Sequence, residues 1–284
     1  MAELALDPAG AAAPGTRANV FLIVGSVLLA IMVTLAVFGR FITPYDPNAQ
    51  DLLLILDPPS SSHWFGMDQI GRDILSRLIA GTSATLTIAL ASVAIASVIG
   101  VALGVASGYL GGAVDRVVTV VVDLLLTIPG MVLAIAVVSA VGASATGLTV
   151  AITVSFVPQI ARLVRGRVLE VSQEEYVHAA RTIGVGQMRI VLRHLLPNSI
   201  TVIVIESSLL AGQAVLTTSA LGFLGLGVQP PDAEWGAMLG SAREFLDTAP
   251  HLVIAPGLAI TLLVFAFNML GDGLRDRFDP HIAR

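Results

Sequence analysis

Six stretches of this chain are apolar for long enough to cross a membrane: residues 18–39, 83–107, 117–141, 147–164, 199–222 and 252–270. A spanning helix needs about 20 mostly apolar residues, and lipid leaves helices or closed barrels as the only ways to pair every backbone N–H and C=O. The composition agrees with lipid as the solvent. Of 284 residues, 55% are hydrophobic and only 12% are charged, with a mean hydropathy of +0.87, where a soluble domain carries roughly 25% charge. The expectation is an all-α integral membrane protein with six transmembrane helices. The first stretch is too long for a signal-peptide core, lacks a basic lead and is followed by no small-residue cleavage site, so it reads as a retained helix. The Ala-rich tail before it, residues 1–17, is expected to be disordered and cytoplasmic.

Two absences narrow the function. All fifteen basic residues are arginine, so the chain has no lysine for a phosphate-binding loop or a Schiff base. Standard ATP hydrolysis must therefore come from another chain. There is no cysteine, which removes disulfides, thiolate metal sites and thiol nucleophiles. No H-E-x-x-H or comparable ligand cluster is present, so no metal site is expected. The net charge of −5 argues against nucleic acid as a partner.

The arginines orient the bundle. With the N-terminus inside, eleven of the fifteen fall on inner segments, six of them between residues 162 and 193. Only Arg40, Arg72, Arg77 and Arg243 lie outside. This bias predicts that both termini and the 162–198 loop face the cytoplasm. The outer segments are then 40–81 and 222–251, while residues 82–284 hold a five-helix core. Residues 68–80, with Ile70, Ile74, Leu75 and Leu78 on one side, predict a short amphipathic helix at the outer interface.

Inside the spans, Gly100, Gly104 and Gly108 recur every four residues, which lets two helices approach closely, either within the chain or against another chain. Pro129–Gly130 falls in the middle of the third span, as a packing kink or as a break beside a transport pathway. Asp123 and Glu206 are intramembrane acids. Each is either paired with an inner-side arginine such as Arg116 or exposed to a pathway.

The segment 162–198 is the most informative. Ser172 and Glu175 form an S-x-x-E pattern that predicts a capping box, and Gly184 supplies a left-handed stop. A second short helix over 187–196 should end at Pro197. Ala179 and Ala180 leave room for another backbone, and Glu175, Arg181, Arg189 and Arg193 supply charge around it. This order of signals predicts a rigid helix–turn–helix on the cytoplasmic face, built to dock a soluble partner.

EYVHAARTIGVGQMRIVLRHLLPN, residues 175–198, resembles the E-A-A loop of permease subunits of binding-protein-dependent ABC importers. FGMDQIGRDILSRLIAG (65–81), DLLLTIPG (123–130), LGFLGLGVQPPDAEWGAML (221–239) and NMLGDGLRDRFDP (268–280) resemble the second permease subunit of the peptide and nickel branch. The resemblance covers nearly everything after residue 20. It implies a type I ABC importer permease fold with a cytoplasmic coupling helix, and a bacterial inner-membrane location. By the resemblance, Glu175, Tyr176, Ala179, Ala180, Arg181, Gly184, Arg189, Ile190, His194 and Pro197 couple to a separate ATPase. Asp123, Pro129 and Glu206 are pathway or gate candidates, and Pro230, Pro231 and Trp235 are candidate contacts for an extracytoplasmic binding protein. The implied partners are a second, related permease, one or two ATPase chains and that binding protein. ATP and Mg sit on the ATPase, with no cofactor on this chain. Di- and oligopeptides are the expected cargo, with nickel, haem and glutathione-like molecules as alternatives. One departure stands out: the branch usually carries an acid where this chain has Thr218.

Two readings from other classes compete. A rhomboid-type intramembrane serine protease would use Ser144 with His251 as its base. A secondary transporter driven by an ion gradient would use Asp123 and Glu206. Neither explains the 172–197 helix–turn–helix.

Overall fold

A computed structural model of the chain describes residues 14–278, and the expected disordered tail lies largely outside them. Among the described residues the regular structure is entirely helical. The helices are α1 (Pro14–Ile42), α2 (Ile74–Leu110), α3 (Gly112–Thr127), α4 (Gly130–Val141), α5 (Ala145–Ser172), α6 (Glu175–Thr182), α7 (Gln187–Ile190), α8 (Leu196–Phe223), α9 (Trp235–Ala242) and α10 (His251–Phe278). Five segments are long and apolar enough to span a membrane, and α3 with α4 makes a sixth if that bent pair counts as one. Two ends can be distinguished. One carries α9 and residues 43–73; the other carries α6.

At the α9 end the expected 68–80 interfacial helix does not form. Residues 68–73 are a turn closed by a bridge between Met67 and Asp73, and α2 starts at Ile74 and runs on through the predicted span. The cause is charge pairing that residue spacing does not reveal. The Asp73 carboxylate caps α2 by accepting from the Ser76 N–H (2.8 Å). Asp68 holds Arg72 at 2.7 Å and lies 3.8 Å from Arg77, all three being buried. Arg77 also donates to the carbonyls of Pro47 and Pro231, tying both connecting segments to α2. Ile74 accordingly faces the core rather than a lipid surface.

The glycine stripe packs within the chain. A Cβ built on Gly100 would lie 2.7 Å from Cβ of Ile160, and one on Gly104 would lie 2.7 Å from the Ala161 carbonyl and from Cβ of Val164. At Gly108 it would meet the Arg165 carbonyl at 3.0 Å. Three successive turns of α2 therefore lie directly on the backbone of α5, as small residues permit in lipid.

The third span is not one helix. Ile128, which precedes Pro129, is extended (φ −88°, ψ 127°), the conformation that a following proline ring enforces. The axis turns by 96° between α3 and α4. α4 packs on α5 through Ala134 and Val138. α3 is held to α5 by ion pairs, Asp115 with Arg165 at 2.6 Å and Asp123 with Arg162. Asp123 is thus paired, although with Arg162 rather than Arg116.

The seam is testable by adding one methyl group. Gly104→Ala drives a Cβ into α5 backbone and is expected to cost about 1–3 kcal/mol. Gly166→Ala, on α5 where nothing lies within 4 Å of the new atom, should leave thermal unfolding in detergent unchanged or slightly raised.

Candidate functional site

At the α6 end the chain makes an elbow. α5 continues to Ser172, so that residue is helical and cannot adopt the extended conformation of a cap. The capping box with Glu175 is absent, and the buried Ser172 hydroxyl has no partner. Glu174 occupies the cap position without a side-chain bond. The other end of α6 follows the sequence reading. Gly184 has φ +80°, its N–H donates to the Arg181 carbonyl (3.0 Å), and the Val185 N–H donates to the Ala180 carbonyl (3.0 Å). These two bonds are the Schellman pair that closes a helix through a left-handed residue.

The elbow has one buried and one open face. Val177, Ala180, Ile190 and Leu195 are buried in the same core cluster as α2 and α5. The Arg181 guanidinium stacks 5.2 Å over the Tyr109 ring of α2, and Tyr176 packs on His194 at 5.7 Å between ring centres. Ala180 therefore packs inward, and only Ala179 of the expected small pair is free to meet another backbone. The open face carries Glu175, Ala179, Gly184 and Arg189, with Ile183 at 80% and Met188 at 70% exposed.

Pro197 does not stop the second helix. A proline lacks an N–H and its ring crowds the carbonyl four residues back. Here Val191–Leu195 forms a π turn, with the Leu196 N–H donating to the Val191 carbonyl, and this wider turn accommodates the ring. The result is one apolar rod from Gln187 to Phe223, so the elbow's second arm is continuous with a membrane helix.

The remaining sequence candidates fall in different places. Pro129 sits at the α3–α4 break. Glu206 is half-buried on α8, with no ion pair among the described residues. Thr218 is fully buried with an unpartnered hydroxyl, so its position faces the interior of this chain. Ser144 caps α5 by accepting from the Gly147 N–H (3.0 Å), and His251 Nε2 has no hydrogen-bond partner, so these two residues do not pair.

At the α9 end, Pro230 and Pro231 are exposed, but Trp235 is not a surface contact. It is buried, and its indole N–H donates to the Leu78 carbonyl (2.9 Å), pinning α9 to α2. Glu234 was not singled out from the sequence, though an acid immediately before a short apolar helix is a capping signal. Its carboxylate accepts from the N–H groups of Gly236 (2.8 Å) and Ala237 (2.9 Å) and from the Thr85 hydroxyl (3.3 Å). Glu234 is fully buried, and burial pushes its carboxyl above the ordinary glutamate range despite those three donors.

Comparison with known proteins decides the family. Residues 100–284 match the binding-protein-dependent transport system inner membrane component, and residues 17–59 match the N-terminal TM domain of oligopeptide transport permease C. The chain belongs to the binding-protein-dependent transport permeases. It is 42% identical over 261 residues to the glutathione transport system permease protein GsiD of Pectobacterium atrosepticum, covering 92% of this chain and 87% of the relative. GsiD of Escherichia coli O6:K15:H31 is 42% identical over 258 residues, covering 90% and 85%. The fold is shared with a chain of the MetNI methionine ABC transporter in an inward-facing form, at a TM-score of 0.58 and 22% identity over 74% of this chain and 98% of that one. This permease is therefore a multi-pass inner-membrane subunit of an ATP-driven importer and not itself an enzyme. Its family works with an ABC ATPase and a substrate-binding protein.

Glu234 gives a pH test. Its folded pKa is raised, so the neutral form is favoured on folding. The stability tied to it is complete below the ordinary glutamate value of 4.5 and is lost as pH rises through the higher folded value. Thermal unfolding of the purified transporter should fall with rising pH, and Glu234→Gln should flatten that dependence. Glu234→Ala should lower stability at every pH, by about 1 kcal/mol for the lost cap alone.

Proposed function

We propose that this permease forms half of a pathway for short peptides of the glutathione kind, with both termini in the cytoplasm. The substrate reading is supported by relatives named as glutathione transport permeases and by the match to the oligopeptide permease terminal domain. A second, related permease completes the pathway. A binding protein delivers cargo at the α9 end, where Pro230, Pro231 and residues 43–73 are the contact candidates. ATP and Mg reside on one or two ATPase chains.

The observation that carries the coupling role is the two-faced elbow. Its inner face is bolted to α2 and α5, and its outer face presents Ile183, Met188 and Arg189 to solvent. Closure of the ATPase pair pushes on the open face. Because Gln187–Phe223 is one rod, the push moves a membrane helix rather than a loose loop. The bundle then shifts between outward-open and inward-open populations.

Gly184→Val tests the lever. Nothing lies within 4 Å of the added Cβ, so the effect centres on φ +80°. The left-handed region costs an ordinary residue roughly 1–2 kcal/mol, and a β-branched one fits it worst. Membrane insertion should be normal while ATP-dependent glutathione uptake falls sharply and ATP hydrolysis loses its response to the binding protein. Wild-type uptake in this variant would contradict the lever.

A further inference from the structure

The exposed residues at membrane depth are not alike around the bundle. Along α1 they are apolar: Ile23, Val27, Ile31, Val37 and Phe38 are each about half exposed or more. That face suits lipid. α8 differs. Glu206, Gln213 and Thr217 are spaced by seven and four residues, which stacks them on one side of a helix. Gln213 is exposed, and Glu206 and Thr217 are half-buried. With a rise of 1.5 Å per residue, Glu206 lies about 15 Å beyond Leu196 and Gln213 about 10 Å further, well inside the span. Asn268 of α10 is also exposed, and its Oδ1 is 3.1 Å from where a Cβ on Gly212 of α8 would sit, so a second amide meets α8 at the residue preceding Gln213.

An acid and two amides on an open surface at that depth do not belong against hydrocarbon; such groups line a water-filled path or face protein. The acids of α3 are already neutralised by Arg162 and Arg165. Glu206 has no cation of its own among the described residues, and no histidine lies on α8 to make a proton relay with it. The Thr217 hydroxyl donates to the Gln213 carbonyl (2.9 Å), so its proton is already committed to the helix.

We propose that Glu206, with Gln213 and Asn268, is a membrane-depth subsite that accepts the ammonium group of the cargo as it passes between the two permease subunits. The proposal rests on the peptide reading above. A carboxylate accepts charge-assisted bonds from an ammonium group, and side-chain amides can both donate to and accept from a peptide backbone. A single unpaired charge among neutral polar groups holds the cargo's amino end without trapping it.

The assembled transporter, with its second permease, ATPases and binding protein, provides the test. The chain has no cysteine, so Gln213→Cys introduces a unique reactive site in it. Cationic methanethiosulfonate ethylammonium should label Cys at this position faster than the anionic ethylsulfonate reagent, and Glu206→Gln should abolish that preference. Leu258→Cys on the apolar face of α10 should stay unlabelled by both. In parallel, Glu206→Gln should lower glutathione uptake roughly tenfold, with unchanged complex recovery and unchanged ATP hydrolysis in response to the binding protein; Glu206→Asp should restore most uptake. Equal labelling by the two reagents, or undiminished uptake in Glu206→Gln, overturns the subsite. Loss of the complex in Glu206→Gln also overturns it, because the acid would then pair with the second permease. If the wild-type transporter moves no glutathione but the labelling preference holds, the peptide reading fails and the cation-accepting subsite stands.

Discussion

The contact of α2 with α5 through Gly100, Gly104 and Gly108 determines where everything at the coupling end sits. A side chain at any of the three would push α5 away from α2 by backbone contact. α5 is the helix that turns, after Ser172, straight into α6. Val168 and Val171 at its end, Val177 and Ala180 of α6, and Ile190 and Leu195 beyond the glycine all join one buried cluster. In lipid, apolar burial between helices adds little beyond what the tails already offer, so close packing carries the association. The glycine seam thus sets the position of the helix from which the elbow departs.

Force can be transmitted only through parts that do not yield. The Schellman closure at Gly184 sets the angle between the two arms of the elbow. The π turn then carries the second arm past Pro197 without a break, into a rod that extends across the membrane. The same rod bears Glu206 and Gln213. In the proposed mechanism, a push at Met188 and its effect at Glu206 are displacements of one helix. At the opposite end, Arg77, Glu234 and Trp235 join α2, α9 and the connecting segments into a cap from buried bonds, and the end of the rod packs against it where Gly236 lies on Ser219.

Much of this was legible in the letters. The apolar stretches mark spans because lipid tolerates few alternatives, and Gly184 marks a stop because few other residues accept a left-handed φ. What was not legible depended on partners distant in sequence. The 68–80 stripe has helical spacing, yet Asp68 recruits Arg72 and Arg77 and turns the chain before Ile74. Ser172 has the right neighbour for a capping box but is absorbed into the end of α5. Pro197 looks like a terminator because a proline is incompatible with an α turn, not with a π turn. Trp235 appears in a polar outer loop, and only the structure places its ring beneath Leu78 of α2. Thr218 stands where the resemblance leads one to expect an acid, and only the structure shows it fully buried with no partner for its hydroxyl.

In the proposed mechanism the open face of the elbow receives the ATPase. A photoreactive amino acid in place of Ile183, in cells that still import, measures it directly. Irradiation of native membranes should yield a covalent adduct between this permease and a nucleotide-binding subunit, and the yield should change when ATP hydrolysis is blocked. Adducts that contain only membrane chains or lipid, in a transporter that remains active, would contradict the account.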